Sequence, residues 1–160
     1  MIKSIEYKYR KHFADYATCA MEDRGIRPWY VAYYSEMQDS AFRSCLKGAR
    51  LPNPISLIMI AELFECSVND LLGCKSVDVE PRNHIFDSGL ERQYVGEYFI
   101  NQVERFMKDK GVSVSELAIV CECSENTILN YISNNIIPDT PAILRICNAL
   151  KCTPSELLGF

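Results

Sequence analysis

Apolar residues return at helical spacing along most of this chain. Phe13, Ala17, Ala20 and Met21 fall on one face of a first helix over residues 4–20 and beyond, and Phe99, Val103, Phe106 and Met107 repeat the pattern later. Intervals of three and four place such residues on one side of a helix. Gly25 and Gly111 follow these stretches and close both helices, because glycine accepts the left-handed backbone that ends a helix. The shift between the two patterns is constant. Residues 21–73 align with residues 107–159 at an offset of 86, without a gap, and 11 of the 53 pairs are identical, among them Ala32/Ala118, Glu36/Glu122, Pro52/Pro138 and Leu71/Leu157. A fixed offset of this kind marks an internal repeat.

Stop and start signals repeat as well. A second helix begins with Pro28 in one copy and with a Ser113/Glu116 capping box in the other. A third starts at Gln38 and at Ser124, only a few residues after the second ends, which is helix-turn-helix spacing. Asn53-Pro54 and Thr140-Pro141 each predict a cap residue followed by proline at the first position of a fourth helix. The fifth runs from Ser67 to Gly73 and from Thr153 to Gly159, each with a cap, an acidic third position and a terminal glycine. The expected fold is all-α, with two tandem five-helix domains at residues 1–73 and 88–160. Between them, 74–87 reads as a linker, where Val77, Val79, Pro81 and Asn83 break the period and Ile85 and Phe86 pack between the domains.

The two third helices differ in charge. In the first, Phe42 and Cys45 face inward and Asp39, Ser40, Arg43 and Lys47 face out, Gly48 stops the helix, and Arg50 stands just beyond it. In the second, Glu125, Asn126, Asn130 and Asn134 face out, and no lysine or arginine occurs from Ile119 through Leu144. This contrast assigns any contact with phosphates to the first unit. It matters because the whole chain, with a formal charge of −4 and a pI near 5.2, exerts no general attraction on nucleic acid. The basic and aromatic positions Tyr7, Lys8, Tyr9, Arg10, Lys11 and His12 lie on the first helix as a further basic face or as an ordinary solvated one.

The remaining composition narrows the classes. A chain of 160 residues that is 48% hydrophobic has material for a packed core. No long apolar run is visible, so the expectation is a cytoplasmic protein with no membrane contact and with its eight cysteines reduced. Cys121, Cys123, Cys147 and Cys152 invite a zinc site, but with Cys45 and Cys66 they fall at repeat positions suited to small apolar core residues. Cys74 in the linker and Cys19 are not placed by that argument. His12 and His84 stand far apart with no nucleophile near either; no metal, no cofactor and no enzymatic activity are expected. Trp29, Tyr30, Tyr33 and Tyr34 exceed what one small core needs, and divide between helix packing and an exposed aromatic surface that docks a partner.

Ala32 and Ala118 in the second helices, the loop Gly48-Ala49-Arg50-Leu51-Pro52 and the two Leu-Leu-Gly endings carry a resemblance. The pattern resembles the lambda-repressor-like family of helix-turn-helix DNA-binding domains, of the Cro and phage-repressor (XRE-like) type, present as two tandem copies. The resemblance implies that helix three enters the major groove of double-stranded DNA while flanking groups hold phosphates. It makes Gln38, Asp39, Ser40, Arg43 and Ser44 the base readers, with Arg43 on a guanine. Arg27, Lys47 and Arg50 become phosphate contacts, Arg27 with help from a helix N-terminus. In the second copy Ser124, Glu125, Asn126, Asn130 and Asn134 are the corresponding contacts, unless that copy serves dimerisation or sensing. Two departures stand out: Pro28 and Val114 occupy the place of a phosphate-clamping glutamine, and Glu36 and Glu122 that of the usual turn glycine. The implied function is a transcriptional regulator, a repressor acting as a homodimer on paired half-sites. The alternative is a protein-binding module, such as an antitoxin or a phage-encoded inhibitor of a host defence nuclease, to which the acidic balance and the aromatic cluster also point.

Overall fold

Short polar side chains decide where most of the helices begin. In the computed structural model, which describes residues 2–75 and 89–160, with side chains from Glu6 and Arg92 onward, all regular elements among the described residues are α-helices. The first five are α1 (Ile2–Arg24), α2 (Pro28–Tyr34), α3 (Asp39–Leu46), α4 (Pro54–Leu63) and α5 (Val68–Leu72). The next five are α6 (Gly89–Lys110), α7 (Val114–Val120), α8 (Glu125–Asn134), α9 (Thr140–Leu150) and α10 (Pro154–Leu158). The Asn53 side chain accepts from the Ser56 amide at 2.9 Å to start α4. Reciprocal capping boxes pair Ser67 with Asp70, Ser113 with Glu116 and Thr153 with Glu156. Each satisfies two amides that a helix start leaves without a partner. At α9 the cap is Asp139, whose carboxylate accepts from the Ala142 amide at 2.9 Å, so Thr140 is the first helical residue and not the cap. A carboxylate is the stronger acceptor, and Thr140 turns inward and is buried.

Each of α2 to α5 starts 86 residues before its counterpart among α7 to α10. The backbone repeats in finer detail. Glycines with positive φ close the first and last helices of both units, at Gly25 and Gly111 and at Gly73 and Gly159. Glu36 and Glu122 take φ of 56° and 55°, and Glu65 and Lys151 both 54°, although none is glycine.

The chain divides into two compact units, residues 1–76 and 77–160. In the first, Phe13, Val31, Phe42, Leu57 and Leu71 are all buried to within 1%. Their 86-residue partners Phe99, Leu117, Ile128, Ile143 and Leu157 fill the second. Side chains of this size contribute about 1.5 to 3 kcal/mol each on full burial. Helix α4 is buried at every position from Ser56 to Ala61, so it is the hub of its unit and not a surface helix. Phe106 and Met107, expected in the second core, are only half-buried where Ala20 and Met21 in the first unit are buried, because the end of α6 is less covered. Val77, Val79, Pro81, Asn83, His84, Ile85 and Phe86 lie outside the described residues.

Candidate nucleic-acid interface

The turn between α2 and α3 is built from the inside. Ala32 is buried, which lets α2 and α3 pack closely, and the Ala32 carbonyl accepts the Met37 amide at 2.8 Å to bring the chain round. Ser35, fully buried, returns its hydroxyl to the Val31 carbonyl at 2.7 Å. The Ser35 carbonyl in turn accepts the Ser56 hydroxyl of α4 at 2.8 Å. Hydrogen bonds therefore tie the turn to the hub helix. Phe42 and Cys45, both fully buried, fix the inner face of α3.

The outer face follows from that anchoring. Gln38, Asp39, Ser40, Arg43, Lys47 and Arg50 are exposed, and Ser44 is half-exposed. The loop after α3 is held at its base by buried Leu51 and Pro52. The Arg10 guanidinium donates to the Ala49 carbonyl at 3.1 Å. His12 donates likewise to the Asp70 carbonyl at 2.9 Å. Two members of the basic run on α1 thus brace the unit, while Lys8 and Lys11 stay exposed.

The structure alters the roles of two arginines. Arg43 Nε donates to Asp39 Oδ2 at 2.6 Å, one helical turn back, with the two side chains 56% and 49% exposed. This bond neutralises part of the positive edge and occupies both an expected base reader and the residue assigned to guanine. The two terminal nitrogens of Arg43 still offer a two-pronged donor set on the exposed side of α3. Arg27 is exposed at the start of α2, but that helix start offers a phosphate little. Pro28 has no N–H, and the Tyr30 and Val31 amides both donate to the Arg27 carbonyl, at 3.0 and 3.3 Å. Arg27 contributes its own charge without the backbone assistance expected of it.

The matching surface of the second unit is differently engaged. Ser124, Glu125, Asn126, Asn130 and Asn134 are all exposed. The Ser124 hydroxyl caps α8 by accepting from the Thr127 amide at 3.2 Å. Glu125 accepts from the Ser115 hydroxyl at 2.6 Å, and Asn134 donates to Asn130 at 2.5 Å. At the offset of 86, Arg43 corresponds to Leu129 and Arg50 to Ile136, which are 46% and 37% exposed. The repeat alignment already paired these positions, and that pairing is the signal that finds them.

The structure also places the aromatic residues of α2 and the cysteines. Trp29 and Tyr33 are 59% and 78% exposed and Tyr30 is also exposed, so they do not belong to the core. Tyr34 alone is half-buried and hydrogen-bonds Glu62. The rings of Trp29 and Tyr30 meet edge to face at 5.8 Å, and Tyr30 and Tyr34 lie 6.4 Å apart, forming one aromatic face along α2. Among the cysteines, Cys45, Cys121 and Cys147 are buried, whereas Cys66, Cys123 and Cys152 sit at the core's margin, half-exposed, as does Cys74. Burial pushes the thiols of Cys45, Cys66, Cys74 and Cys121 up to about 11, so they are protonated at neutral pH and poor metal ligands or nucleophiles. Among the described residues no group of three or more acidic, histidine or cysteine side chains is placed to hold a metal, and no helix is long and apolar enough to cross a membrane.

No curated protein and no solved structure matches this chain. Residues 102–160, which run from the middle of α6 through α10, match the family model of the Cro/C1-type HTH DNA-binding domain.

Proposed function

We propose that the chain is a sequence-specific DNA-binding regulator in which both units have the helix-turn-helix architecture and the first makes the main duplex contact. Helix α3 lies in the major groove, with Gln38, Ser40, Arg43 and Ser44 toward base edges and Lys47, Arg50 and Arg27 toward phosphates. What supports this reading is the exposed cationic edge Arg43–Lys47–Arg50 on a third helix whose inner face is locked by Phe42 and Cys45, in a chain whose second unit matches a DNA-binding family. Asp39, paired with Arg43, orients that arginine and restricts it to particular base pairs. Affinity comes from the cations and selectivity from the polar face.

A salt titration of duplex binding tests it. Affinity should fall steeply with salt, and Lys47→Ala with Arg50→Ala should reduce the slope by about 2, one unit for each phosphate no longer neutralised. Weak binding at low salt that ignores both substitutions overturns the proposal. The exposed aromatic face of α2 favours a second reading, a module that acts on a protein target. A protein partner whose capture survives Lys47→Ala plus Arg50→Ala and is abolished by Trp29→Ala supports that one instead.

A further inference from the structure

Among the described residues, the large hydrophobic side chains exposed in the first unit are all aromatic: Tyr7, Trp29, Tyr30 and Tyr33. Those exposed in the second are mostly aliphatic, namely Ile119, Val120, Leu129 and Ile136 beside Tyr94. Three of the first group stand on α2. Trp29 and Tyr33, four residues apart, share one side of that helix, about 6 Å apart along its axis. With 59% and 78% of their surface exposed, both rings offer a flat side to solvent, and the edge of Tyr30 against Trp29 at 5.8 Å limits how far the indole swings. The repeat shows what this face adjoins. At the offset of 86, Trp29 and Asp39 hold the places of Ser115 and Glu125, whose side chains meet at 2.6 Å. Trp29 therefore stands at the start of the exposed side of α3, next to Asp39 and its partner Arg43.

The charge around the face is mixed, with cations in excess. From Arg27 to Arg50 the charged residues are the cations Arg27, Arg43, Lys47 and Arg50 and the carboxylates Glu36 and Asp39, all exposed. Asp39 is matched by Arg43, Glu36 bounds the face past the end of α2, and Arg27 bounds it at the start. Behind α2, the Glu62 carboxylate hydrogen-bonds Tyr34. A ligand that fits brings planar rings and negative charge together. Unpaired nucleotides have both, and stacking on aromatic side chains beside cations is how single strands are held. Bases in a duplex are stacked on one another, which closes their faces to Trp29 and Tyr33.

We propose that this face binds single-stranded DNA, with unpaired bases stacked on Trp29 and Tyr33 and the phosphates beside them against Arg27 and Arg43. The strand is DNA, in keeping with the match of the second unit to a DNA-binding family. The proposal goes beyond the duplex reading and does not depend on it, since stacking on α2 needs no groove.

Trp29 is the only tryptophan, so the proposed site carries its own reporter. The full chain is titrated at low salt with an oligothymidylate of about 12 nucleotides, and Trp29 emission is followed. Stacking should quench the emission as the site fills. An oligomer of the same length made of abasic deoxyribose phosphates should bind about tenfold more weakly and leave the emission unchanged. Tyr33→Ala should weaken oligothymidylate binding by about tenfold, while Tyr33→Phe, which keeps the ring, should retain most of the affinity. Trp29→Ala, read by the anisotropy of a labelled oligothymidylate, should cost a similar factor. Arg27→Ala should lower the salt slope by about 0.7, which corresponds to one phosphate of a single strand. All these side chains are exposed, and circular dichroism checks that the variants remain folded. Emission that oligothymidylate leaves unchanged overturns the proposal. So do equal affinity for the abasic oligomer, tighter binding of oligouridylate, or binding that ignores both Trp29→Ala and Tyr33→Ala.

Discussion

Helices α3 and α8 start at the same place in a repeated backbone, yet they present opposite surfaces. Where α3 and its loop carry Arg43 and Arg50, the second unit carries Leu129 and Ile136, exposed in their place. The buried partners are nearly interchangeable, Phe42 for Ile128 and Leu57 for Ile143. The difference teaches that the core and the caps determine the repeated backbone, and that outward residues are free to change what that backbone presents. The match to the Cro/C1-type DNA-binding family falls on residues 102–160, in the unit whose third helix lacks cations. Backbone architecture and exposed charge are thus separable properties in this chain.

The widest gap between the units is expected in duplex affinity. Removing Lys47 and Arg50 together should lower affinity about a hundredfold at moderate salt, because two phosphates then keep their counterions instead of releasing them. Removing Asn126 and Asn130 should change it far less. Electrophoretic or anisotropy titrations check both, and comparable losses would show that the units share the duplex. The reverse substitution is the sharper test. Leu129→Arg with Ile136→Arg gives α8 the cations of α3 and should raise affinity by about tenfold, since each further phosphate neutralised releases counterions. No gain would mean that the second unit does not approach the duplex.

Helix boundaries were readable because they depend on neighbours in sequence. Ser67 and Asp70, or Ser113 and Glu116, form their capping boxes within one turn, and the glycines that close α1 and α6 act on the residues just before them. The Arg43–Asp39 pair also carried a local signal, an i, i+4 spacing of opposite charge on a helix. The exposure of Trp29 and Tyr33 had none. Helix α2 spans seven residues, under two turns, which is too short for periodicity to separate inner from outer aromatics. The ties that hold the loop after α3 and the turn before it, from Arg10 to the Ala49 carbonyl and from Ser56 to the Ser35 carbonyl, reach backbone atoms of distant segments. Any side chain with the right reach can make such a bond, so residue type alone does not announce it.

The units should also differ in their response to alkali. Burial holds Cys45, Cys66 and Cys74 protonated to about 11 in the first unit, and Cys121 in the second, against 9.0 for a thiol without those surroundings. Between these values the unfolded chain gives up protons that the folded chain keeps, so stability falls as pH rises from 9 through 11. Below 9 these thiols contribute no pH dependence. Burial also raises the Cys123 thiol of the second unit, which makes three raised thiols in the first unit against two in the second, so the first unit should lose stability more steeply. Urea midpoints followed by Trp29 emission, which reports the first unit, should fall faster above pH 9 than midpoints from whole-chain circular dichroism. Parallel declines would place the sensitivity elsewhere.

The smallest effect expected lies in the turns, where the units are most alike. Glu36 and Glu122 take φ of 56° and 55°, a left-handed conformation that costs a residue with a Cβ about 1 to 2 kcal/mol. Glycine removes that cost but loses about 0.5 to 1 kcal/mol of chain entropy on folding. The net gain for Glu122→Gly should be about 0.5 to 1 kcal/mol, read as a higher urea midpoint at unchanged slope. Glu36→Gly, at nearly the same backbone angle, should gain about as much. Unequal gains would mean that one of the two side chains contributes an interaction of its own, and a loss at both sites would mean that the left-handed turns are held without strain. Either substitution also removes a carboxylate from the turn beside a third helix. For that reason Glu36→Gly should strengthen duplex binding slightly, while Glu122→Gly, in the unit without cations, should leave it unchanged.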